Sequence, residues 1–324
     1  MSDKFIFQNA RIKSMENRLL GQQQLQRLAE ASSVREMQKA LGEMGFGIAA
    51  AGENAGVDRM IEAEEKNALA VLKEFNVDGA LDALVLEADY HNLKALLKAS
   101  VTGEKNPVLG AEGLYNTEVL RDGTEGDYHA LRPLMADAVR AVEKSLAEGR
   151  LTPHGIDCTV DKAMFRDISE TAKKGGEAVK AYYVFKTDCV NISSFLRCRR
   201  LGLPEKLFEE NFMPGGTLGE DFFLSVYDAS LDVFRDKFKF TPYQSLVAEA
   251  VDGGNLVAFE VQVDNLLLDM WRKRKDDMFS CAPVVGYYFG KLAEIKAVKL
   301  VFAGVKNNVE PRLIKERMRD IYGA

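Results

Sequence analysis

The sequence is poor in the residues from which metal and disulfide sites are built. It holds three histidines and four cysteines in 324 residues, and neither set shows a spacing that would enclose a zinc ion. The cysteines form no CxxC pair, and we expect no secretory leader before them. We therefore expect reduced thiols in a cytoplasmic protein and no metal ligands at Cys158, Cys189, Cys198 or Cys281.

Long apolar runs and an excess of basic residues are also lacking. The longest uncharged run, Met278 to Gly290, is well short of the ~20 residues that a membrane-spanning helix needs. The 49 acidic residues outnumber the 43 basic ones, whereas a nucleic-acid-binding face is basic. We expect no segment that spans a membrane and no nucleic-acid partner.

Motifs that carry catalysis are absent or incomplete. Residues 45–50 fit a degenerate GxGxxA pattern, but a predicted helix precedes them where a dinucleotide site needs a strand. Gly290–Lys291 is followed by Leu292, where a phosphate-binding loop needs serine or threonine. Asp157 and Asp161 have the i, i+4 spacing of neighbours on an exposed helix face. The sequence therefore indicates no catalytic centre and no cofactor.

The chain has few strand signals and many helical ones. It has only eight prolines, no Asn-Gly hairpin and no sustained alternation of polar and apolar residues. Residues 103–128, which hold several glycines, are predicted to be a connector. The fold class is therefore predicted to be all-α. Apolar residues at helical spacing predict helices over residues 4–20, 24–41, 60–75, 81–99, 131–149, 157–173, 177–201, 222–238, 243–251, 256–276, 284–304 and 311–321.

One stretch occurs three times. Asp89–Ala99 returns as Asp188–Cys198 and, in a weaker form, as Glu294–Gly304. Each copy begins with an acidic residue and has a branched apolar residue four positions later. Each also has a glycine near the end of its helical pattern, at Gly103, Gly202 and Gly304. A recurring period of this kind indicates a repeat architecture.

Further segments recur in the same order. Residues 156–161 match residues 259–264, with a looser match at 61–65, and Gly123–Asp127 matches Gly216–Glu220. The shared order favours a triplication with repeats of about a hundred residues. The predicted organisation is a single domain over residues 1–324. It is made of a leader helix (1–20) and three repeats (21–122, 123–215 and 216–324).

The repeated polar residues are the candidate functional residues. A structural interpretation is that they cap helices or join them by hydrogen bonds. The functional alternative is that equivalent helices face a common axis and contact a partner there, helped by the basic end of the second copy. The candidate partner-binding residues are Asp89, His91, Asn92, Asp188, Asn191, Arg197, Arg200, Glu294 and Lys296.

The beginning of the chain resembles a known family. Residues 7–11 read aromatic–x–Asn–Ala–Arg, and residues 16–20 read Glu–x–Arg–Leu–Leu. Both are similar to the opening of the C subunits of V/A-type rotary ATPases, whose eukaryotic relatives are the d subunits. Residues 89–99, 200–203, 214–216 and 293–295 also resemble that family. One departure is Ala297, where the family usually has asparagine.

The resemblance implies a fold and a function. It implies three helical repeats around a pseudo-threefold axis, forming a funnel. One end would sit on the membrane rotor ring at its cytoplasmic face, and the cavity would receive the D and F subunits of the central stalk. The protein would be a non-catalytic rotor part that couples ATP hydrolysis or synthesis to proton or sodium transport. Two other classes stay open: an unrelated α-helical repeat scaffold that binds a partner helix or peptide, and an enzyme with a hidden site.

Overall fold

The fold is built from helices. The computed structural model describes residues 3–48 and 56–322, and this part of the chain contains no β-strand. The prediction of an all-α fold is confirmed. Its α-helices are α1 (Ile6–Glu16), α2 (Gln22–Ala29), α3 (Val34–Glu43), α4 (Val57–Glu74), α5 (Asp82–Thr102), α6 (Thr117–Thr124), α7 (Pro133–Ala147), α8 (Pro153–Thr171), α9 (Gly176–Arg200), α10 (Glu205–Asn211), α11 (Glu220–Leu224), α12 (Leu231–Lys237), α13 (Gln244–Asp252), α14 (Leu256–Arg272), α15 (Ala282–Lys306) and α16 (Pro311–Glu316).

Side-chain caps explain several helix starts. Thr152 accepts a hydrogen bond from the amide of Gly155 at 2.9 Å, and Pro153 occupies the first turn of α8. Asn116 accepts from the amide of Val119 at 2.9 Å and begins α6. Ser33 caps α3 in the same way. Such caps satisfy amides that have no partner inside the helix.

These local signals divide two helices that the apolar pattern predicted as continuous. The helix predicted over 24–41 is broken between α2 and α3, because Ser33 is extended and caps a new helix. The helix predicted over 222–238 is likewise divided into α11 and α12 by the cap at Ser230. Apolar periodicity continues across such breaks, so it does not reveal them.

Short helices account for the other differences. The predicted connector 103–128 contains α6, and the apolar pattern does not predict α10. The leader helix predicted over 4–20 is shorter: α1 ends at Glu16, and Leu20 lies outside any helix. Helices of one or two turns carry too few apolar residues to show a period.

We call α5, α9 and α15, which carry the repeated stretch, the signature helices. Gly103 and Gly202 follow α5 and α9 with positive φ, as helix-ending glycines do. Gly304 also lies near the end of its helix, as predicted, but it differs from the other two glycines because it is buried inside α15. A Cβ atom there would lie 2.4 Å from Cδ1 of Ile314, so this glycine makes room for α16.

The chain forms two compact units. The first comprises the residues up to Leu81 and those from Asp264 onward. In it, α15 packs against α1, α2, α3, α4 and α16. Its apolar core includes Leu25 and Leu28 of α2, Leu41 of α3 and Val298 of α15.

The second unit comprises Asp82–Val263. Helix α8 packs against α5, α7 and α9, and α10 packs against α9. An aromatic cluster fills the space around α9: the ring of Phe195 stacks on Phe234 with centroids 4.1 Å apart, and Phe208 and Phe223 contact the same ring. Aromatic side chains bury large areas and therefore contribute strongly to such a core.

Candidate functional site

The acidic residue of the first signature helix holds a segment of loop. Asp89 is fully buried on α5 and accepts hydrogen bonds from the amides of Leu114, at 2.7 Å, and Tyr115, at 3.1 Å. Asn92, one turn later, accepts from the amide of Gly110 at 2.7 Å and donates to the carbonyl of Ala111 at 3.1 Å. We call these two side chains with residues 110–115 the first clasp.

The second signature helix repeats this arrangement. Asp188 accepts from the amides of Thr217 and Leu218, both at 3.0 Å, and from the Thr217 hydroxyl at 2.6 Å. Asn191 accepts from the amide of Met213 and donates to its carbonyl, both at 2.8 Å. These two side chains and residues 213–218 form the second clasp. The bonded amides have the same spacing in both loops, the asparagine partner lying four and five positions before the aspartate partners.

A glycine in each loop lies against the carboxylate. A Cβ atom on Gly113 would lie 2.4 Å from Cγ of Asp89, and one on Gly216 would lie 2.1 Å from Oδ1 of Asp188. Both positions therefore admit only glycine without movement of the carboxylate. The hydrogen bonds pair Gly216 with Gly113 and not with Gly123, which lies inside α6. The predicted match of Gly123–Asp127 with Gly216–Glu220 is therefore wrong.

A tyrosine completes the second clasp. The hydroxyl of Tyr243 donates to Oδ2 of Asp188 at 2.6 Å. Burial, together with the hydrogen bond to the negative carboxylate, raises the pKa of Tyr243 far above its ordinary value. The tyrosine therefore stays protonated and acts as a permanent donor.

The third clasp uses the beginning of the chain. Glu294 on α15 is buried and accepts from the amide of Leu20 at 2.6 Å, and α2 begins two residues after Leu20. In the first two clasps, α6 and α11 likewise begin two residues after the last bonded amide. Ala297 occupies the place of the asparagine and is buried.

A buried lysine stands beside Glu294. Lys291 contacts Oε1 of Glu294 at 2.5 Å and Oε2 of Glu64 at 2.7 Å, and Glu64 accepts from the amide of Gly47 at 2.7 Å. Burial raises the pKa of Glu294 above its ordinary value. Burial alone lowers the pKa of Lys291, but the two carboxylates outweigh it and the pKa lies above the ordinary value. The lysine therefore remains charged and pairs with both acids.

Sequence reasoning did not identify this triad or a second, half-buried ion pair. In the sequence, Lys291 belongs only to an incomplete phosphate motif. Arg132, just before α7, contacts Asp167 of α8 at 2.6 Å, and the hydroxyl of Tyr90 on α5 donates to Asp167 at 3.0 Å. The hydrogen bond to Asp167 raises the pKa of Arg132, while burial raises the pKa of Tyr90. No local pattern indicates these partners, because they lie on different helices.

The predicted partner-binding residues separate into two groups. Asp89, Asn92, Asp188, Asn191 and Glu294 are buried and bonded to backbone within their own unit, as the structural interpretation expects. The remaining four lie at or near the surface: His91, Arg197, Arg200 and Lys296. A partner contact through residues of either group stays a prediction.

Two of the surface residues form ion pairs. Arg197 contacts Glu260 at 2.9 Å, and Lys296 contacts Asp264 at 3.2 Å. On the first signature helix, Lys98 contacts Asp157 at 2.6 Å, which places residues 157 and 260 in matching roles. Arg200 donates to the carbonyl of Ala250.

The described residues carry neither a membrane span nor a metal-binding cluster. None of the helices within 3–48 and 56–322 combines the length and apolar character needed to cross a bilayer. In the same ranges, no three side chains of histidine, cysteine, aspartate or glutamate are grouped so that they could hold a metal ion. The acidic residues of the clasps bond to protein groups instead.

Comparison with known proteins agrees with this architecture. The model of the family described as "ATP synthase (C/AC39) subunit" matches residues 8–317. The chain is 26% identical to the C subunit of the V-type ATP synthase of Thermus thermophilus over 93% of each chain. It is 25% identical to the C subunit of the V-type sodium ATPase of Enterococcus hirae over 72% of each chain. It is also 23% identical to the C subunit of the A-type ATP synthase of Thermococcus gammatolerans, over 96% of this chain and 89% of the relative.

The family match confirms the resemblance that the opening motif and the repeated stretch indicated. It covers almost the whole chain, which excludes a likeness confined to one helix. Members of the family are structural, non-catalytic components of V/A-type ATPase complexes that carry out ion transport. This chain therefore belongs to the ATP synthase (C/AC39) subunit family.

Proposed function

We propose that this protein is the socket that couples the central stalk of a rotary ATPase to its membrane rotor ring. It would bind the D and F subunits of the stalk on one side and the ring on the other, at the cytoplasmic face of the membrane. Through this linkage, ATP hydrolysis or synthesis would be coupled to proton or sodium transport. Three related helical modules around a pseudo-threefold axis would form the funnel that receives the stalk.

The repeated clasps support three modules. We define a module as a signature helix, its clasp and the two helices that follow the clasped segment. The first module contains α5, α6 and α7, and the second contains α9, α11 and α12. The third contains α15 with α2 and α3 from the beginning of the chain, which pack against α15.

The observation that carries the proposal is the bond from the Leu20 amide to Glu294. In a linear solenoid, each repeat contacts only its neighbours along the chain, and the terminal repeats are caps. Here the N-terminal segment instead completes the module of the last signature helix. This connection favours a closed arrangement of modules, as a socket requires, over the alternative of a linear scaffold.

The clasps also suit a part that transmits torque. Each one fixes a loop to a helix through buried, charge-assisted hydrogen bonds, which are stronger than neutral ones. Close-packed interiors have low compressibility and transmit strain. A lasting joint in such a machine needs an interface of roughly 2,000 Å² or more.

A bridging experiment tests the proposal. The full chain is mixed with the detergent-solubilised rotor ring and with the purified D and F stalk subunits from the same source. Size-exclusion chromatography should show one particle that contains ring, this chain and stalk, whereas ring and stalk alone should elute apart. Binding to neither component would overturn the proposal.

Charge reversal sharpens the same experiment. We expect Arg197→Glu combined with Arg200→Glu to weaken assembly at least about tenfold, because rim charges steer association. Circular dichroism should show unchanged helicity. The matched control is Arg312→Glu on α16, a surface arginine that contacts Glu316 of its own helix and should assemble normally when reversed. Equal assembly by both variants would remove Arg197 and Arg200 from the interface.

A further inference from the structure

A thiol and an imidazole are paired at the beginning of α8. His154 and Cys158 stand four residues apart, so their side chains share one face of the helix. The Nε2 atom of His154 lies 3.3 Å from Sγ of Cys158. Two ligating side chains at this spacing on a helix can chelate one metal ion, as the paired histidines of zinc proteases do.

A third polar atom comes from the end of α10. Oδ1 of Asn211 lies 3.7 Å from Sγ of Cys158. Its amide is oriented by the other end, because Nδ2 donates to the carbonyl of Leu207 at 2.7 Å. Lys162, one turn after Cys158, donates to the carbonyl of Glu209 at 2.9 Å and holds the end of α10 beside α8. The oxygen is therefore held facing the thiol.

The two distances from the sulfur are those expected between neighbouring ligands of zinc. Zinc bonds are about 2.3 Å long to sulfur and about 2.0–2.2 Å long to nitrogen or oxygen. At the tetrahedral angle, these lengths place the sulfur about 3.6 Å from each of the other ligands. The observed separations are 3.3 Å to nitrogen and 3.7 Å to oxygen. As direct contacts they add little stability, because a thiol is a weak hydrogen-bond donor.

We infer that His154, Cys158 and Asn211 form a zinc site, with water as the fourth ligand, that joins α8 to α10. Thiolate and imidazole select a borderline-soft ion, whereas magnesium and calcium prefer oxygen ligands. His154 is exposed and the other two residues are half-buried, so an ion can enter from solvent. The sequence led to the opposite expectation for Cys158, because the third ligand is an amide oxygen 53 residues away on another helix. The inference does not depend on the proposed function.

The surroundings of the thiol suit a metal ligand better than a nucleophile. Burial raises the pKa of Cys158, whereas a reactive cysteine needs a lowered pKa. Asp157, Asp161 and Glu210 act on the thiol as negative charges, and Lys162 acts as a positive one. The two aspartates pair with lysines of α5, so these charges nearly balance and do not repel a cation. A zinc ion displaces the thiol proton when it binds.

Isothermal titration calorimetry of the full chain with zinc tests the inference. The wild-type chain should bind one zinc ion. Cys158→Ser and His154→Ala should each raise the Kd at least about 100-fold, because losing a ligand costs more than losing an outer-shell partner. Asn211→Ala should raise the Kd about tenfold. The matched control is His129→Ala, which removes another exposed histidine and should leave the Kd unchanged.

Further readouts show where the ion binds. Co²⁺ in place of zinc should give a thiolate-to-cobalt absorption band that Cys158→Ser removes, because the other three cysteines are buried. Zinc should slow hydrogen exchange in the peptide covering residues 205–213, since the ion restrains α10. It should also raise the melting temperature of the wild-type chain but not that of Cys158→Ser.

Each other outcome has a defined meaning. Failure of the wild-type chain to bind zinc overturns the inference, and so does binding that Cys158→Ser and His154→Ala retain. Binding that is unchanged in Asn211→Ala and does not slow exchange in residues 205–213 overturns the joint between α8 and α10. Should Cys158→Ser fail to fold, His154→Ala still decides, because the histidine is exposed. The isolated chain is used, so these results are separate from those of the bridging experiment.

Discussion

The second and third clasps satisfy a buried carboxylate in two different ways. Asp188 accepts hydrogen bonds from two amides and two hydroxyl groups, and its partners lie 29 to 55 residues further along the chain. Glu294 accepts from one amide, 274 residues away, and is neutralised by Lys291. The buried carboxylate at equivalent positions can therefore be stabilised either by neutral hydrogen-bond donors or by a counter-ion, provided that no buried acceptor lacks a partner.

The difference also has a structural consequence. The second clasp holds its loop by several bonds and by the amide side chain of Asn191. The third clasp has Ala297 at that place, so its segment is held to α15 through the Leu20 amide and apolar packing. Because the third clasp joins Leu20 to α15, it must form from segments far apart in sequence.

The largest expected effect is that of Asp188→Ala. The substitution leaves four donors without an acceptor, each at a cost of about 1–3 kcal/mol before relaxation. We expect the free energy of unfolding, measured in urea by circular dichroism, to fall by about 4 kcal/mol. Asp188→Asn keeps one acceptor oxygen, so its free energy of unfolding should lie between those of Asp188→Ala and the wild type.

The control for this variant is Asp228→Ala at an exposed position, which should change stability by less than about 0.5 kcal/mol. A loss below about 1 kcal/mol for Asp188→Ala would contradict the importance of the second clasp.

The next effect is that of Lys291→Met in the third clasp. The change leaves Glu64 and Glu294 buried without their counter-ion, which should cost about 3 kcal/mol at pH 8. Burial already raises the pKa of Glu294, so the folded variant binds a proton more tightly than the unfolded chain. Its stability should therefore rise as the pH falls from 8 to 5.

Urea unfolding at both pH values measures this effect. Lys299→Met, which removes a surface pair with Glu65, is the control and should show little change at either pH. If the stability of the Lys291→Met variant decreased as the pH was lowered from 8 to 5, the assigned charges would be contradicted.

A smaller effect is expected for the glycine beside the carboxylate. Gly216→Ala places a Cβ atom 2.1 Å from Asp188, and the required shift should cost about 1–3 kcal/mol. Gly42→Ala is the matched control, because it lies inside α3 with open space around it and should stabilise the protein by about 0.5–1 kcal/mol. Thermal melts that move in the same direction for both variants would contradict the close approach at Gly216.

The smallest effect concerns local opening. The amide of Leu20 should exchange its hydrogen about tenfold faster than that of Leu218, because fewer bonds hold its segment. Hydrogen exchange read by mass spectrometry on peptides covering each clasp provides the measurement. Slower exchange at Leu20 would show that the apolar packing of α2 outweighs the missing asparagine.

The helices were predictable because their signal is local. Apolar residues at helical spacing predicted α5, α9 and α15 to within a few residues at each end. The repeated acidic residues were identified as well, and the structural interpretation described their burial and hydrogen bonding. Their partners were not predicted, because no pattern along the chain marks an amide that a distant carboxylate will bind.

The roles of two glycines could not be predicted from the sequence, for the same reason. The sequence matches Gly123 to Gly216 because both begin a glycine-containing turn, but the hydrogen bonds pair Gly216 with Gly113. The sequence correctly places Gly304 near the end of a helix, but it does not show that this glycine is buried in α15 where Ile314 needs space. A glycine has no side chain to show whether its role is a turn or a close approach, and only its neighbours decide.

The sequence by itself determined the helical class, the recurrence of a helical stretch that begins with an acidic residue, and the family. These features depend on periodicity and motif order, which are local properties of the sequence. Only the tertiary structure decided which backbone segment each acid binds, and that Glu294 on α15 binds the amide of Leu20, 274 residues earlier in the chain. The physical reason is that a buried carboxylate must find donors wherever packing places them, and packing brings together residues that the sequence keeps far apart.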